Sequence, residues 1–228
     1  MMSALQASHE SYSVNEWNDY AHLFAYVTPS IQLAIYQEAC NHLYDSVVDC
    51  GSGTAKIASL LVDNPNITSY TGVDYSEEMI AVANWILQKL QRSNFQALHK
   101  RIEEIADQQY ASAVSIQSYY AWSNPELTLQ VIFQVLKPEG KFVLASPNKT
   151  LPLKLNELAS DLYKELIAHP YLEAYMDYNR KLAENTEANF IEMDDLIKQV
   201  QQVGFHVEEC HQRHLRGGLN FLVLSKRA

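Results

Sequence analysis

Two aspartates and two glycines carry the first chemical signal in this chain. The stretch "VVDCGSGTAK" (47–56) sets Asp49 at the end of an apolar run and follows it with Gly51 and Gly53. The chain has only 7 Gly in 228 residues, so two within three positions mark a turn that needs positive φ, or a ligand that approaches with no Cβ in its way. A buried strand that breaks into such a turn and then enters a helix is a common cradle for nucleotide-like ligands. The dinucleotide fingerprint G-x-G-x-x-G asks for a third glycine where Lys56 stands. A carboxylate at Asp49 repels a pyrophosphate but suits a ligand carrying an ammonium group. Asp74 ends the next apolar run, "SYTGVD" (69–74), where it is placed to accept from two hydroxyls. Together these residues favour a nucleoside with a charged amino-acid tail over a dinucleotide.

The elements that must position these residues alternate along the chain. Strands are predicted at 46–50, 69–74, 94–98, 111–117 and 141–146, with helices at 54–64, 76–91 and 124–137 between them. Ser76, with Glu in the turn after it, opens the second of these helices, and Pro125 opens the third. Two helical pieces fill 14–45, broken at "TPS" (28–30), where Thr28 or Ser30 is the expected cap beside Pro29. Residues 151–189 hold no strand candidate and read as two or more helices. A helix at 194–204 ends on Gly204, and two terminal strands meet across Gly217-Gly218 as a hairpin. The expected fold is α/β: a doubly wound seven-stranded sheet, mostly parallel, finished by an antiparallel hairpin. It forms one domain over 1–228, with an N-terminal helical segment (1–45) and a helical insertion (151–189).

Composition bounds the function. A hydrophobic content of 47% supplies a sizeable core. The formal charge of −10 and a pI near 5.2 argue against nucleic acid or anionic membrane as main partners, since both demand basic surface. Cys40, Cys50 and Cys210 are scattered and odd in number, which reads as free thiols in a reducing compartment. No signal pattern opens the chain and no apolar stretch is long enough to span a bilayer, so a cytoplasmic protein is expected. No cluster of metal ligands is visible, and metal independence is expected.

In order, spacing and residue type, three motifs resemble those of the class I S-adenosylmethionine-dependent methyltransferases. "VVDCGSGTA" is similar to that family's glycine-rich first motif, "YTGVDYSEEMI" to its acidic second motif, and "VIFQVLKPEGKFVLASPN" to the helix, turn and fifth strand that follow. The likeness is close over 44–148 and looser at the C-terminus. It implies S-adenosyl-L-methionine as cofactor and S-adenosyl-L-homocysteine as product. It also implies that Gly51 and Gly53 lie against the cofactor, that Asp49 helps hold its amino-acid moiety, and that Asp74 takes its ribose hydroxyls. Tyr75 and Met79 then stand beside the adenine or ribose, and Gln117 and Ser118 near the methionine part. The chain departs from the family twice. Arg101 occupies the position where many relatives carry an acidic adenine partner, leaving the backbone amide of Ile102 for the ring. Ala55 replaces the third glycine of G-x-G-x-G.

Methyl transfer from a sulfonium is mostly positioning, with deprotonation added when the acceptor is a hydroxyl or carbon acid. "QSYYAWSN" (117–124) leaves the fourth strand where that chemistry belongs. Tyr119, Tyr120 and Trp122 form an aromatic wall there, useful to a sulfonium, or simply pack the turn. Asn148 orients a substrate or serves as a turn residue. The sequence names no base; Tyr119 and His169 stand as the candidates. Seven of the 14 Tyr fall in two stretches, 11–26 of the N-terminal segment and 162–182 of the insertion, which together read as a lid over the substrate, with Tyr12 or Tyr20 reaching the cofactor's carboxylate and Tyr20 lining the substrate side. The expected partner is a small molecule acceptor, methylated at oxygen or nitrogen as in specialised-metabolite tailoring. The alternatives are a protein or carrier-bound acyl group, and a protein of the same fold that binds the cofactor without methylating. "QSYY" in place of an N-P-P-Y-type tetrapeptide disfavours planar exocyclic amines.

Overall fold

Val47 and Val48 are consecutive in β1 (Asp45–Cys50) yet belong to cores on opposite faces of the sheet, because successive strand side chains point in opposite directions. A strand covered on both sides reads as a continuous apolar run, and β4 (Tyr110–Ile116) is buried along its whole length for the same reason. The computed structural model describes residues 14–105, 109–184 and 188–227. Its further elements are α1 (Val14–Tyr26), α2 (Ser30–Cys40), α3 (Ala58–Leu61), β2 (Ile67–Asp74), α4 (Glu77–Leu90), β3 (Phe95–His99), α5 (Pro125–Val135) and β5 (Leu136–Pro147). They are followed by α6 (Leu151–Leu166), α7 (Leu172–Glu184), α8 (Met193–Val203), β6 (His206–His211) and β7 (Leu219–Ser225).

The sheet runs β3-β2-β1-β4-β5-β7-β6, parallel except for β7, which lies antiparallel to both β5 and β6. This is the expected doubly wound sheet with its terminal hairpin. Chain order reverses between β1 and β4, so a crevice opens at the carboxyl ends of these strands, where α/β sheets bind ligands. One face is covered by α2, α3 and α4 through Ile35, Leu61 and Ala83, the other by α5 and α8 through Leu129, Ile132 and Leu196. A separate small core of Val27, Leu162, Leu166, Leu172 and Tyr175 joins α6 and α7 to the α1–α2 corner. Among the described residues no helix is long and apolar enough to cross a membrane.

Three sequence expectations needed correction. The helix predicted at 54–64 shrinks to Ala58–Leu61, because Gly51, Gly53 and Ala55 all take left-handed backbone (φ 74°, 52° and 58°) and no helix can form through them. α5 stops at Val135 rather than 137, since Leu136 already pairs with Tyr110, and Glu139 (φ 63°) turns the chain within the longer β5. The cap of α2 comes from neither Thr28 nor Ser30. Glu165 of α6 reaches across, and its two carboxylate oxygens accept from the Ser30 N–H and Oγ–H, each at 2.7 Å. The Ser76 cap is as predicted: its Oγ accepts from the Met79 N–H (3.1 Å) and donates to Asn18 Oδ1 (2.7 Å), tying α1 to the start of α4.

Charged contacts fasten the hairpin to the helices. Arg216 donates to Asp161 (2.6 Å) and Glu157 (3.3 Å) on α6. Glu38 of α2 accepts from Arg213 at 2.6 Å and faces His211 and His214 at 3.0 and 2.6 Å. His211 Nδ1 accepts from the Arg213 N–H (3.3 Å), so the proton sits on Nε2 and is donated to Glu38. That tautomer makes the cluster a structural pin.

Ala55 is fully buried in left-handed backbone. For an ordinary L-residue this conformation costs about 1–2 kcal/mol, which offsets the methyl burial and chain entropy lost on mutation to glycine. Ala55→Gly is therefore expected within about 0.5 kcal/mol of wild type in urea denaturation, whereas Ala58→Gly in α3 should cost about 1–2 kcal/mol.

Candidate active site

The carboxyl ends of β1, β2 and β4 form the floor of a cavity of about 590 Å³, within the roughly 300–1,000 Å³ typical of small-molecule sites. Asp49, Gly51, Gly53, Asp74 and Ser118 line the floor. Trp17 and Tyr20 of α1 and Gln32 and Tyr36 of α2 line one side. The insertion forms the roof: α6 contributes Leu155, Leu158 and Leu162, and α7 contributes Tyr175, Met176 and Tyr178.

The floor is built by the turn after β1. Gly51 N and Ser52 N donate to the Val73 carbonyl at 2.9 and 3.0 Å, folding the turn back onto β2. Asp74 then clasps it: Oδ2 accepts from the Gly53 N–H and Oδ1 from the Ser76 N–H, both at 2.9 Å. Each oxygen keeps acceptor capacity for a further donor. Burial raises the Asp74 pKa, against the lowering effect of these backbone donors. Asp49 is 5% exposed, and its Oδ2 accepts from the Tyr70 hydroxyl at 2.7 Å. Desolvation, opposed by that bond and reinforced by the charge of Asp74, pushes its pKa up to about 7. A cation arriving beside Asp49 would restore the charge that burial suppresses.

At the far end of the floor Tyr75, Met79 and Ile102 line the cavity. The Arg101 guanidinium lies over the Tyr75 ring, 5.4 Å from its centroid, and the Arg101 N–H donates to Glu104 (2.8 Å), closing the turn at Ile102–Glu104. At the near end, Ser118 Oγ donates to the Cys50 carbonyl (2.9 Å), accepts from Trp122 Nε1 (3.1 Å) and shares a 2.6 Å bond with Ser115 Oγ. These bonds saturate the hydroxyl and lace β1 to the β4 turn. Gln117 takes left-handed backbone (φ 56°), and its Oε1 accepts from Gln32 Nε2 at 3.0 Å. Strain of this kind concentrates at functional sites.

Aromatic rings join the roof to α1. Tyr20 and Tyr178 stack with centroids 3.5 Å apart and planes within 6°, and Trp17 lies 6.1 Å from Tyr178 and 6.3 Å from Tyr120.

The structure thus brings Tyr20, Asp49, Gly51, Gly53, Asp74, Tyr75, Met79, Ile102, Gln117, Ser118, Tyr120 and Trp122 to one cavity. Three expected residues are elsewhere. Tyr119 points away from the cavity into the core of the α5 face, where its hydroxyl donates to Gln199 of α8 (2.6 Å). Asn148 is fully buried, donates to the Gly217 carbonyl (2.8 Å) and caps the turn into α6 through Thr150 N–H (2.9 Å). His169 lies in the α6–α7 turn, accepting from the Tyr171 N–H, outside the cavity lining. Tyr12 lies outside the described residues. Sequence reasoning passed over Lys56, Gln32 and Tyr36. The signal available for Lys56 was a lone cation in the apolar run "TAKIASLL"; for Gln32 and Tyr36 it was only their i, i+4 spacing on one helix.

A family model described as a methyltransferase domain matches residues 42–209. Among curated proteins no sequence matches the chain. Several solved structures share its fold. The N-methyltransferase NodS of Bradyrhizobium japonicum WM9, in complex with S-adenosyl-L-homocysteine, has a TM-score of 0.68 at 9% identity over 96% of this chain and 100% of its own. A chain from the complex of the Haloferax volcanii Trm112 methyltransferase activator with a methyltransferase has a TM-score of 0.66 at 16% identity, covering 93% and 98%. The cyclopropane synthase MmaA2 of Mycobacterium tuberculosis follows at 0.61 and 12%, covering 86% and 84%. At these identities the likeness carries the fold, and a fold does not choose an acceptor.

A Cβ on Gly51, at φ 74°, would stand 2.4 Å from Ser118 Cβ and 2.5 Å from its Oγ. Gly51→Ala should combine overpacking with left-handed strain and cost about 2–4 kcal/mol, read from chemical denaturation.

Proposed function

The chain belongs to the methyltransferase-domain family, of the class I S-adenosylmethionine-dependent type, and from that premise we propose that it methylates a small, partly apolar molecule at oxygen or nitrogen in a tyrosine-lined pocket roofed by α6 and α7. The observation that carries this reading is the roof. The leucines of α6 and the aromatic contacts between α7 and α1 bound the cavity on the side away from the sheet, the arrangement suited to a molecule that is enclosed.

The residues fit the family's cofactor. When bound, S-adenosylmethionine supplies a methyl group on a sulfonium to an in-line nucleophile. Asp74, with lone pairs left on both oxygens, is the acceptor for vicinal hydroxyls. Asp49, buried with Tyr70 as its one hydrogen-bonded side chain among the described residues, is the seat for an ammonium. Gly53 presents only backbone to the ligand, and Met79 and Ile102 offer apolar surface to a base. Tyr20, Tyr120 and Tyr178 supply ring faces to a cation. Ser118, with its hydroxyl saturated, acts as a positioning residue that holds the β1 turn against the β4 turn.

A second reading, with a protein or a carrier-bound acyl group as substrate, draws on the outer face of the roof, where Leu153, Tyr163 and Ile167 are exposed. One neighbour of the same fold is found with an activator protein. With a radiolabelled methyl donor, label in organic-extractable molecules supports the first reading, and label precipitating with protein supports the second.

Calorimetric titration of S-adenosylmethionine tests the cofactor assignment directly. Asp74→Ala should weaken binding by about 1–3 kcal/mol, the usual loss for hydrogen bonds to a charged group. Absence of binding to the wild type would overturn the assignment. Because Asp49 titrates at about 7 in the ligand-free protein, its carboxyl is neutral below that value and a bound ammonium lowers its pKa. Affinity should therefore rise with pH by up to about tenfold per unit below neutrality and level off above it, and Asp49→Asn should flatten the profile.

A further inference from the structure

The polar groups on the α2 side of the cavity are almost all donors. Lys56 Nζ donates to the Val27 carbonyl at 2.6 Å and reaches Gln32 Oε1 at 3.5 Å, with the Phe24 ring centroid 3.7 Å away. Two of the three ammonium N–H groups are thereby engaged, and one is left. Gln32 spends one N–H on Gln117 Oε1, so each amide oxygen of this chain of contacts already accepts once, and the Gln117 NH₂ makes no hydrogen bond to any described residue. Tyr36, one helical turn from Gln32, lines the cavity, and its hydroxyl makes no hydrogen bond to any described residue. Burial, with Asp49 nearby, raises the Tyr36 pKa and keeps the phenol a donor. Facing these donors, Ile31, Leu155, Leu158, Leu162 and Met176 present only hydrocarbon or thioether. Among the described residues lining the cavity there is no histidine.

This lining discriminates among acceptors. A hydroxyl or carbon acid must lose a proton; Glu103, Glu173, Asp177 and Glu184 also line the cavity, but within the donor cluster the one basic group, Lys56, is already donating to Val27 and Gln32. On the α2 side an ammonium substrate would meet a lysine and two further donors, with acidic groups of the lining lying instead at Asp49 and on α7, at Glu173, Asp177 and Glu184. A carboxylate arrives already ionised, accepts from all three groups and needs no base. We propose that the acceptor is the carboxylate of a molecule with an apolar body, its oxygens held by Lys56, Tyr36 and Gln117 and its body extended along the leucines of α6. The inference rests on the reading that the cavity holds methyl donor and acceptor together. One carboxylate oxygen forms the new O–CH₃ bond as the S–CH₃ bond breaks. The bonding pair goes to sulfur, and the products are a methyl ester and S-adenosylhomocysteine, with no proton moved. Burial lowers the Lys56 pKa to about 7, and an arriving carboxylate would draw its charge back.

The test is calorimetric binding of decanoate, decylamine and decanol to protein saturated with S-adenosylhomocysteine. Decanoate should bind at least about tenfold more tightly than either other probe, about 1.4 kcal/mol. Lys56→Met should erase that preference while leaving the affinity for S-adenosylhomocysteine within about threefold, less than about 0.7 kcal/mol. Tyr36→Phe, which keeps the ring and removes only the hydroxyl, should weaken decanoate selectively if the lysine variant fails to fold. With S-adenosylmethionine, methyl decanoate should be detected by mass spectrometry. Equal or tighter binding of the amine or the alcohol would overturn the inference. So would a loss of S-adenosylhomocysteine affinity in Lys56→Met as large as the loss for decanoate, since it would assign the lysine to the cofactor's own carboxylate. Failure of the wild type to bind S-adenosylhomocysteine would instead count against the methyltransferase reading itself.

Discussion

The clasp of Asp74 on the turn after β1 is the interaction on which the rest of the site depends. Two backbone donors, Gly53 N–H and Ser76 N–H, converge on one carboxylate at 2.9 Å, and that convergence sets how close the ends of β1 and β2 come. The turn's own hydrogen bonding is limited to isolated i→i+3 bonds such as Ala55 N–H to the Ser52 carbonyl (2.9 Å), because alternate residues at 51, 53 and 55 are left-handed. It is held from outside: by Asp74, by the Val73 carbonyl and, across the crevice, by Ser118 packed where a side chain on Gly51 would be. The interior of a helix could not make this floor, since beyond the first turn its N–H groups are spent internally.

Charge is placed in the cavity at a cost that a ligand is suited to recover. Asp49 and Asp74 are both desolvated, and the charge of Asp74 further raises the proton affinity of Asp49, while Lys56 is desolvated in the opposite sense. No ion pair between the lysine and either aspartate is formed. Their separation lets the site present an anionic part and a cationic part to different groups. Buried charges left unpaired in this way mark functional sites more often than structural ones.

The roof is fastened by contacts of two kinds. Apolar packing of Leu162, Leu166, Leu172 and Tyr175 against Val27 supplies the burial. Glu165 at the start of α2, and Asp161 and Glu157 beside Arg216, fix the orientation. Surface ion pairs of this sort contribute little stability, so their effect is on where α6 lies. The α6 leucines consequently face the donors of Lys56, Tyr36 and Gln117 across the cavity.

Local chemistry was enough for the sheet, its order of elements, the Ser76 cap and the floor residues from Asp49 to Asp74, because each depends on neighbours within a few residues: an apolar run, a glycine, a serine before a helix. The same local reading misjudged whatever was decided at a distance. A helix was expected through Ala55, whose left-handed backbone is enforced by the turn around it. The α2 cap was sought beside Pro29, while the carboxylate that supplies it lies on α6, 135 residues along the chain. Tyr119 and Tyr120 are adjacent and alike in sequence, yet one is bonded to α8 and the other faces the cavity, a choice made only when the helices pack. Lys56 and Tyr36 became legible as functional groups only in three dimensions, since an unspent donor can be recognised only once every partner within reach is known.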